Sequence, residues 1–489
     1  MPAAKALLSK LSHESGLSAI LHSSRDTKLL CVARFVRLFA YGASFLILVH
    51  YLSILRFTDA RIGLFMTSTL LGDVVISFLL TLITDQVGRR RVLATGAVLM
   101  TMSGAVFALC SNFWFLLLAS VVGVISPSGN EIGPFKAVEE SILAQLTEKD
   151  QRSDIFAWYT LFGTLGAALG TLSCGFMVQI LKGQESWTPA GPYRVVFGAY
   201  ALLGSVKLIL TLMLSKSVEL DRPKQVYQEV PIELEDEGLL SGSSDEETPE
   251  ARSSKRISAH ASASPSPPTP TLLSRIRSLL PYISPTSRLI LMRLLLLFFL
   301  DSFGSGLASP SWLTYFFTTV HSLESSTLGT LFLVTNLLAT LSNLAALPLA
   351  RRLGPLKTMI FTHLPSAIFL SLVPFPPATT TGTWLAMGFL SLRACTQSMD
   401  QAPRQAFLSS AVLPAERTAV LGVVNIAKTL AQAGGIGVSG VLAGARLWVV
   451  MLAGAGAMKA SYDLLMLWMF LGIKDRESDS TRPGRSENA

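Results

Sequence analysis

The stretch TDQVGRRRVL, Thr84 to Leu93, follows about twenty apolar residues and leads straight into another apolar run. Four charges are therefore concentrated in a turn between two segments that each reach the roughly 20 residues needed to cross a bilayer. A turn this short needs the backbone freedom of Gly88. Arg89, Arg90 and Arg91 resist translocation, so they also fix the side of the membrane on which the turn lies.

The rest of the chain repeats this pattern. Hydrophobic residues make up 50% of the 489 and charged residues only 15%, more apolar surface than a soluble domain can bury. Apolar runs fall at roughly 32–55, 61–83, 92–110, 113–138, 154–181, 194–214, 289–316, 327–349, 356–374, 383–405, 418–442 and 446–472. The expected fold is an all-α polytopic membrane protein with twelve transmembrane helices. Lys and Arg gather in alternate loops, which places both termini in the cytoplasm. The formal net charge of +8 thus reports topology and gives no reason to expect nucleic acid as a partner.

Enzyme chemistry finds no foothold. No phosphate-binding loop of the Walker type occurs, the six histidines show no zinc spacing, and no Gly-X-Ser-X-Gly elbow stands between a strand and a helix. Cys31, Cys110, Cys174 and Cys395 lie in or beside separate spans without paired spacing, so they read as packing residues. No metal and no cofactor are expected.

One long polar insert, 215–287, carries acidic runs at Glu233–Glu237 and Asp245–Glu250, a basic patch at Arg252–Arg256 and then SASPSPPTPT. Such a segment buries too little apolar surface to offset its chain entropy and is expected to be a disordered cytoplasmic linker, with serines open to phosphorylation. It divides the chain into a cytoplasmic tail (1–31), an N-terminal six-helix bundle (32–214), the linker, a C-terminal six-helix bundle (288–473) and a cytoplasmic tail (474–489).

The two bundles look like copies. GASFLILVHYLSI after Tyr41 resembles GSGLASPSWLTYF after Phe303, and SILAQLTEKDQRSDIFAWY lies without gaps over AFLSSAVLPAERTAVLGVV. This register pairs Glu139 with Arg404, Arg152 with Arg417, Gly170 with Gly435 and Gly175 with Gly440. The opening motif then has a degraded twin in ARRLGPLKTM, where Gly88 meets Gly354.

Six plus six spans around a central linker resemble the major facilitator superfamily, whose loop between spans two and three reads approximately Gly-X-Leu-Ala-Asp-Arg-X-Gly-Arg-Arg-Arg. Leu82, Asp85, Gly88, Arg89, Arg90 and Arg91 stand at the matching positions; Thr81 and Gln86 depart from it. The resemblance implies two pseudo-symmetric bundles that rock against each other. It also implies a gating role for the motif, with Asp85 accepting hydrogen bonds at the start of span eleven. Spans five and eleven are rich in glycine and would form the sliding interface between halves. A Gly-Pro pair that antiporters often carry in span five is absent.

Ionisable residues deep in a span mark functional cavities by default. Here they are Asp73, Glu131, Asp301, Arg393, Lys428, Lys459 and Asp463, candidates for substrate contact or proton coupling. Glu131 stands out because SPSGNEIGPF is rich in Pro and Gly and should bend or unwind. Lys459 and Asp463, four apart, could form a local pair. Glu139 opposite Asp400 and Arg404 suggests a cytoplasmic gate between halves, whereas Arg34 and Arg37 read as snorkelling. The sum is a secondary active transporter of a small organic solute by alternating access, with proton-coupled efflux as the expected mode. Organic anion uptake or uniport, and a non-transporting membrane sensor, are the alternatives. Its partners are expected to be the solute, protons and the lipid bilayer. A monomer in the plasma membrane is preferred over a vacuolar one.

Overall fold

The structure is a computed structural model and describes residues 17–123, 125, 134–148, 151–219, 285–401, 403–404, 407–408 and 417–470. These all belong to one compact unit. Residues 220–284 of the linker, 1–16 and 471–489 of the tails, and Glu131 lie outside the described residues.

A short helix α1 (Leu17–His22) precedes α2 (Arg25–Ile54), α3 (Asp59–Val87) and α4 (Arg89–Leu109). Next come α5 (Phe113–Val122), α6 (Pro134–Leu146), α7 (Arg152–Lys182) and α8 (Gly191–Leu212). The second half holds α9 (Pro285–Leu307), α10 (Pro310–His321), α11 (Ser325–Leu353), α12 (Pro355–Leu372), α13 (Thr380–Gln397), α14 (Arg417–Gly444) and α15 (Trp448–Phe470). Setting α1 aside and counting α5 with α6 and α9 with α10 as one span each, these are the twelve transmembrane helices of two six-helix bundles.

Two expected boundaries shift for identifiable reasons. Span one starts at Arg25 because the Ser24 hydroxyl caps the helix, accepting from the Thr27 amide at 3.1 Å. Span seven is not continuous. Pro310 at the start of α10 lacks an N–H and disfavours helical backbone in the residue before it, so the span breaks at Ala308–Ser309.

The repeat read from sequence is visible in the packing. In lipid, helices gain little from apolar contact and rely on close approach through small residues. A Cβ on Gly170 of α7 would collide with the carbonyl oxygen of Phe39 in α2, and one on Gly435 of α14 with the carbonyl oxygen of Phe303 in α9. Gly42 meets Ala167 as Gly306 meets Gln432. The α3–α4 and α11–α12 turns likewise share positive φ, +103° at Gly88 and +79° at Gly354, a backbone region that favours glycine.

The halves touch through symmetry-related crossings. α3 lies on α14, where a Cβ on Gly63 would come within 2.9 Å of the Gly437 oxygen. α7 lies on α11, where one on Gly329 would come within 2.7 Å of the Thr171 oxygen. Thr67 Oγ1 donates to the Ala433 carbonyl (2.9 Å), Ser311 Oγ to that of Phe45 (3.1 Å) and Tyr315 OH to Asp59 Oδ1 (3.0 Å). These contacts lie toward the end of the bundle that carries the 55–58 turn. At the other end of α14, a Cβ on Gly422 would meet nothing within 4 Å.

Gly170→Val and Gly435→Val are expected to destabilise the detergent-solubilised protein by about 1–3 kcal/mol each through overpacking. Gly388→Ala and Gly454→Ala, with no neighbour within 4 Å, should shift the thermal midpoint little. Equal losses at all four sites would rule out the close approach as the cause.

Candidate functional site

Each half holds a buried cluster of charges that joins its first, fourth and sixth spans. In the N-terminal half Arg37 comes from α2, Glu139 from α6 and Lys207 from α8, each only 1% exposed. The Arg37 guanidinium donates to both carboxylate oxygens of Glu139, Nη1 to Oε1 at 2.6 Å and Nη2 to Oε2 at 2.8 Å. Tyr159 OH of α7 donates to the same Oε2 at 2.6 Å, and Lys207 Nζ stands 3.7 Å from Oε1. Phe135, one turn before Glu139, turns its ring face to Lys207 (4.3 Å) and Arg37 (5.6 Å). Arg34, one turn before Arg37, stacks 4.0 Å over the Tyr159 ring. Arg34 and Arg37 are therefore interior residues and do not snorkel, because a carboxylate and aromatic rings are available inside.

In the C-terminal half the centre is Asp301 of α9. Lys459 of α15 donates to its Oδ1 at 2.7 Å and to Ser305 Oγ at 2.7 Å. Arg404, just beyond α13, donates to Asp301 Oδ2 at 3.1 Å and also to Asp400. His363 of α12 bridges two carboxylates: Nδ1 lies 2.9 and 3.0 Å from the Asp463 oxygens, and Nε2 3.8 Å from Asp301 Oδ1. Lys459 and Asp463 thus face the same network with different partners, rather than each other. Lys428 of α14 lies 5.1 Å over the Phe298 ring, which Arg404 also approaches, at 5.9 Å.

The packing register assigns these clusters to each other. Arg37 stands two residues before Phe39, as Asp301 stands two before Phe303, and Glu139 aligns with Arg404. The two halves therefore carry the same ion pair with its signs exchanged. Glu139 and Arg404 do not meet as a gate between halves; each is bound within its own half, where its partner on the first span is closer.

At the α3–α4 turn, the backbone amides of Arg89 and Arg90 donate to the Glu219 carboxylate at 2.8 and 3.2 Å. This satisfies orphan donors at the start of α4. Arg89 also donates to Gln145 Oε1 at 2.7 Å, and Gln145 Nε2 to the carbonyls of Ser217 (3.1 Å) and Glu219 (3.0 Å). Arg90 Nη2 donates to the Leu212 carbonyl. Ser215 and Ser217 donate to Asp26. Arg91 is exposed, and the Asp85 side chain lies outside the described residues.

This two-half, twelve-span architecture with a glycine-arginine turn coincides with a family match. The sequence fits the model of the Major Facilitator Superfamily over residues 30–283 and 294–489. The chain belongs to that superfamily. Among its relatives is the Uncharacterized membrane protein YJR124C of Saccharomyces cerevisiae, 36% identical over 460 residues, 92% of this chain and 95% of that one. The Quinolone resistance protein NorA of Staphylococcus aureus is 24% identical over 168 residues, 34% of this chain and 39% of that protein. A crystal structure of a D-xylose-proton symporter superposes with a TM-score of 0.62 at 15% identity, covering 90% of this chain and 96% of that one. Family and fold indicate a transporter.

Of the sequence candidates, the C-terminal network gathers Asp301, Lys459, Asp463, Asp400 and Arg404. Lys428 and Arg393 stand outside its ion pairs: Lys428 rests on the Phe298 ring, and Arg393 is two turns before Asp400. Asp73 stands apart on α3, 6% exposed, accepting from Ser77 at 3.4 Å. The sequence reading missed His363, Lys207 and Tyr159; His363 and Lys207 are ionisable groups inside apolar runs, which was the available signal. Glu139→Gln is expected to cost about 3–5 kcal/mol, since it strands two buried cations. The exchange Arg37→Glu with Glu139→Arg should recover part of that loss in a double-mutant thermal unfolding cycle. A fully stable Glu139→Gln would refute this role.

Proposed function

We propose that this protein is a secondary active transporter that moves a small organic solute across the plasma membrane by alternating access, coupled to protons, in the direction of efflux. The observation that carries this reading is the pairing of stiff halves with a joint built from glycine. Each half is held by its own buried ion-pair cluster, while the halves meet through backbone-close crossings at Gly63–Gly440 and Gly175–Gly329. Small residues let such crossings slide, so the halves exchange the closed end without separating the helices of either half.

With both termini cytoplasmic, as the loop charges argue, the closed end is the outer one and the structure represents an inward-facing state. The α3–α4 turn then lies on the cytoplasmic side, where the Glu219 clamp keeps Arg89 and Arg90 in place through the cycle and Asp85 serves the gate.

Proton coupling is assigned to the Asp301 network. One carboxylate shared by Lys459 and Arg404, with His363 between it and Asp463, changes its preferred partner when it gains a proton. The symporter with the same fold is named for proton coupling, which agrees with protons, and the relative NorA is named for quinolone resistance, which agrees with a small organic solute. The protein is taken to act as a monomer in the bilayer.

Purified protein in proteoliposomes with a trapped pH indicator tests this reading. Addition of the transported solute should move protons in wild type, and Asp301→Asn or His363→Gln should abolish that movement while leaving solute binding measurable. Solute flux without proton movement would overturn the coupling. Absence of flux for every anionic, neutral and cationic compound, in folded protein, would overturn transport itself.

A further inference from the structure

The C-terminal network has more positive charge than its carboxylates match. Among the described residues, Lys459 and Arg404 share Asp301, Arg404 also holds Asp400, and Asp463 is taken by His363. Lys428 and Arg393 have no carboxylate within ion-pair distance. Both are partly exposed, although they sit in the middle of α14 and in the last turns of α13. The Lys428 ammonium rests on the Phe298 ring, the ring that the Arg404 guanidinium also approaches. The π-face attracts both cations but leaves their mutual repulsion uncompensated.

An unpaired cation in a membrane span is expensive, and ordinary packing would replace it with an apolar residue or supply an acid. Among the described residues, Arg404 and Lys459 engage Asp301 and Asp400, Lys428 rests on the Phe298 ring beside Arg404, and Arg393 stands two turns before Asp400. Among the described residues no acid matches the fourth cation, and a bound solute could supply that charge.

We propose that Lys428 and Arg393 form the recognition subsite for an organic anion, a carboxylate or a phosphate ester, beside the Asp301–Lys459–Arg404 network. This inference rests on the transporter reading and narrows its substrate to an anionic class. A guanidinium binds a carboxylate or phosphate through two parallel N–H donors, while the ammonium adds a point charge on the other side. The anion restores neutrality when bound, so arrival of substrate relieves the repulsion across Phe298.

Thermal stabilisation of the full-length protein in detergent by matched probes provides the test: benzoate against benzamide and benzamidine, and glucose 6-phosphate against glucose and glucosamine. At least one anion should stabilise wild type where its neutral and cationic counterparts do not, and which of the two acts decides between carboxylate and phosphate. Arg393→Gln and Lys428→Gln should each weaken that binding by about 10- to 100-fold, the worth of one charged hydrogen-bonding partner. Lys428→Arg should retain it. Without any anion, both Gln variants should unfold no earlier than wild type, because an uncompensated buried charge has been removed.

A lower midpoint for the anion-free Gln variants would show that these cations are structural counter-charges and would overturn the proposal. So would equal stabilisation by neutral or cationic counterparts, or none by either anion. Anion binding that depends on both residues in a protein showing no flux would uphold the subsite and instead remove the transport reading.

Discussion

Burying a charge in a membrane span is the constraint on which the rest of this structure depends. Water cannot solvate Glu139 or Asp301 where they lie, so each must be met by cations supplied from other helices. The partners of Glu139 come from α2, α7 and α8, and those of Asp301 from α15 and from just beyond α13. Because the acid and its partners belong to different helices, satisfying the charge fixes helix against helix. Apolar contact could not do this, since lipid solvates an apolar helix as well as a neighbouring helix does.

Glycine solves the complementary problem of where helices must approach closely. At Gly170 and Gly435 it lets the fifth and eleventh spans press onto the backbone of the first span of their own half. On other faces of the same two helices, Gly175 and Gly440 make the crossings to the opposite half. One helix type therefore serves both as part of a stiff bundle and as the bearing surface between bundles. The difference lies in what accompanies the glycines: buried ion pairs within a half, isolated hydrogen bonds to carbonyl or carboxylate oxygens between halves.

The fold was largely legible in the sequence because its signals are local and strong. Apolar run length gave the twelve spans, and collinear glycines gave the repeat down to Gly88 and Gly354, whose shared positive φ the structure displays. The break at Ser309 was missed, since hydropathy continues unchanged through Pro310 although the backbone cannot. The site was legible as a set of residues but not as pairs. Spacing of four suggested that Lys459 and Asp463 belong together, whereas Asp301 and His363 on other helices compete for them at 2.7 and 2.9 Å. Partnership across helices depends on rotation about each helix axis, which one sequence does not encode in any short window. Arg37 was read as snorkelling for the same reason: only the fold brings Glu139 to it.

The two clusters exchange signs at equivalent positions of a repeated fold. An arginine on α2 and an aspartate at the equivalent site of α9 leave each half with an internal pair that ties its first span to its fourth, bidentate in the N-terminal half and single in the C-terminal one. The two halves then keep equivalent mechanics but acquire different chemistry. A carboxylate at the centre of the C-terminal cluster draws Lys459 and Arg404 inward, and Arg393 and Lys428 stand around them without acids of their own. In the N-terminal half the central acid sits on the fourth span and Lys207 approaches it from α8. The chemical asymmetry between the halves thus arises from inverting one ion pair within an otherwise repeated scaffold.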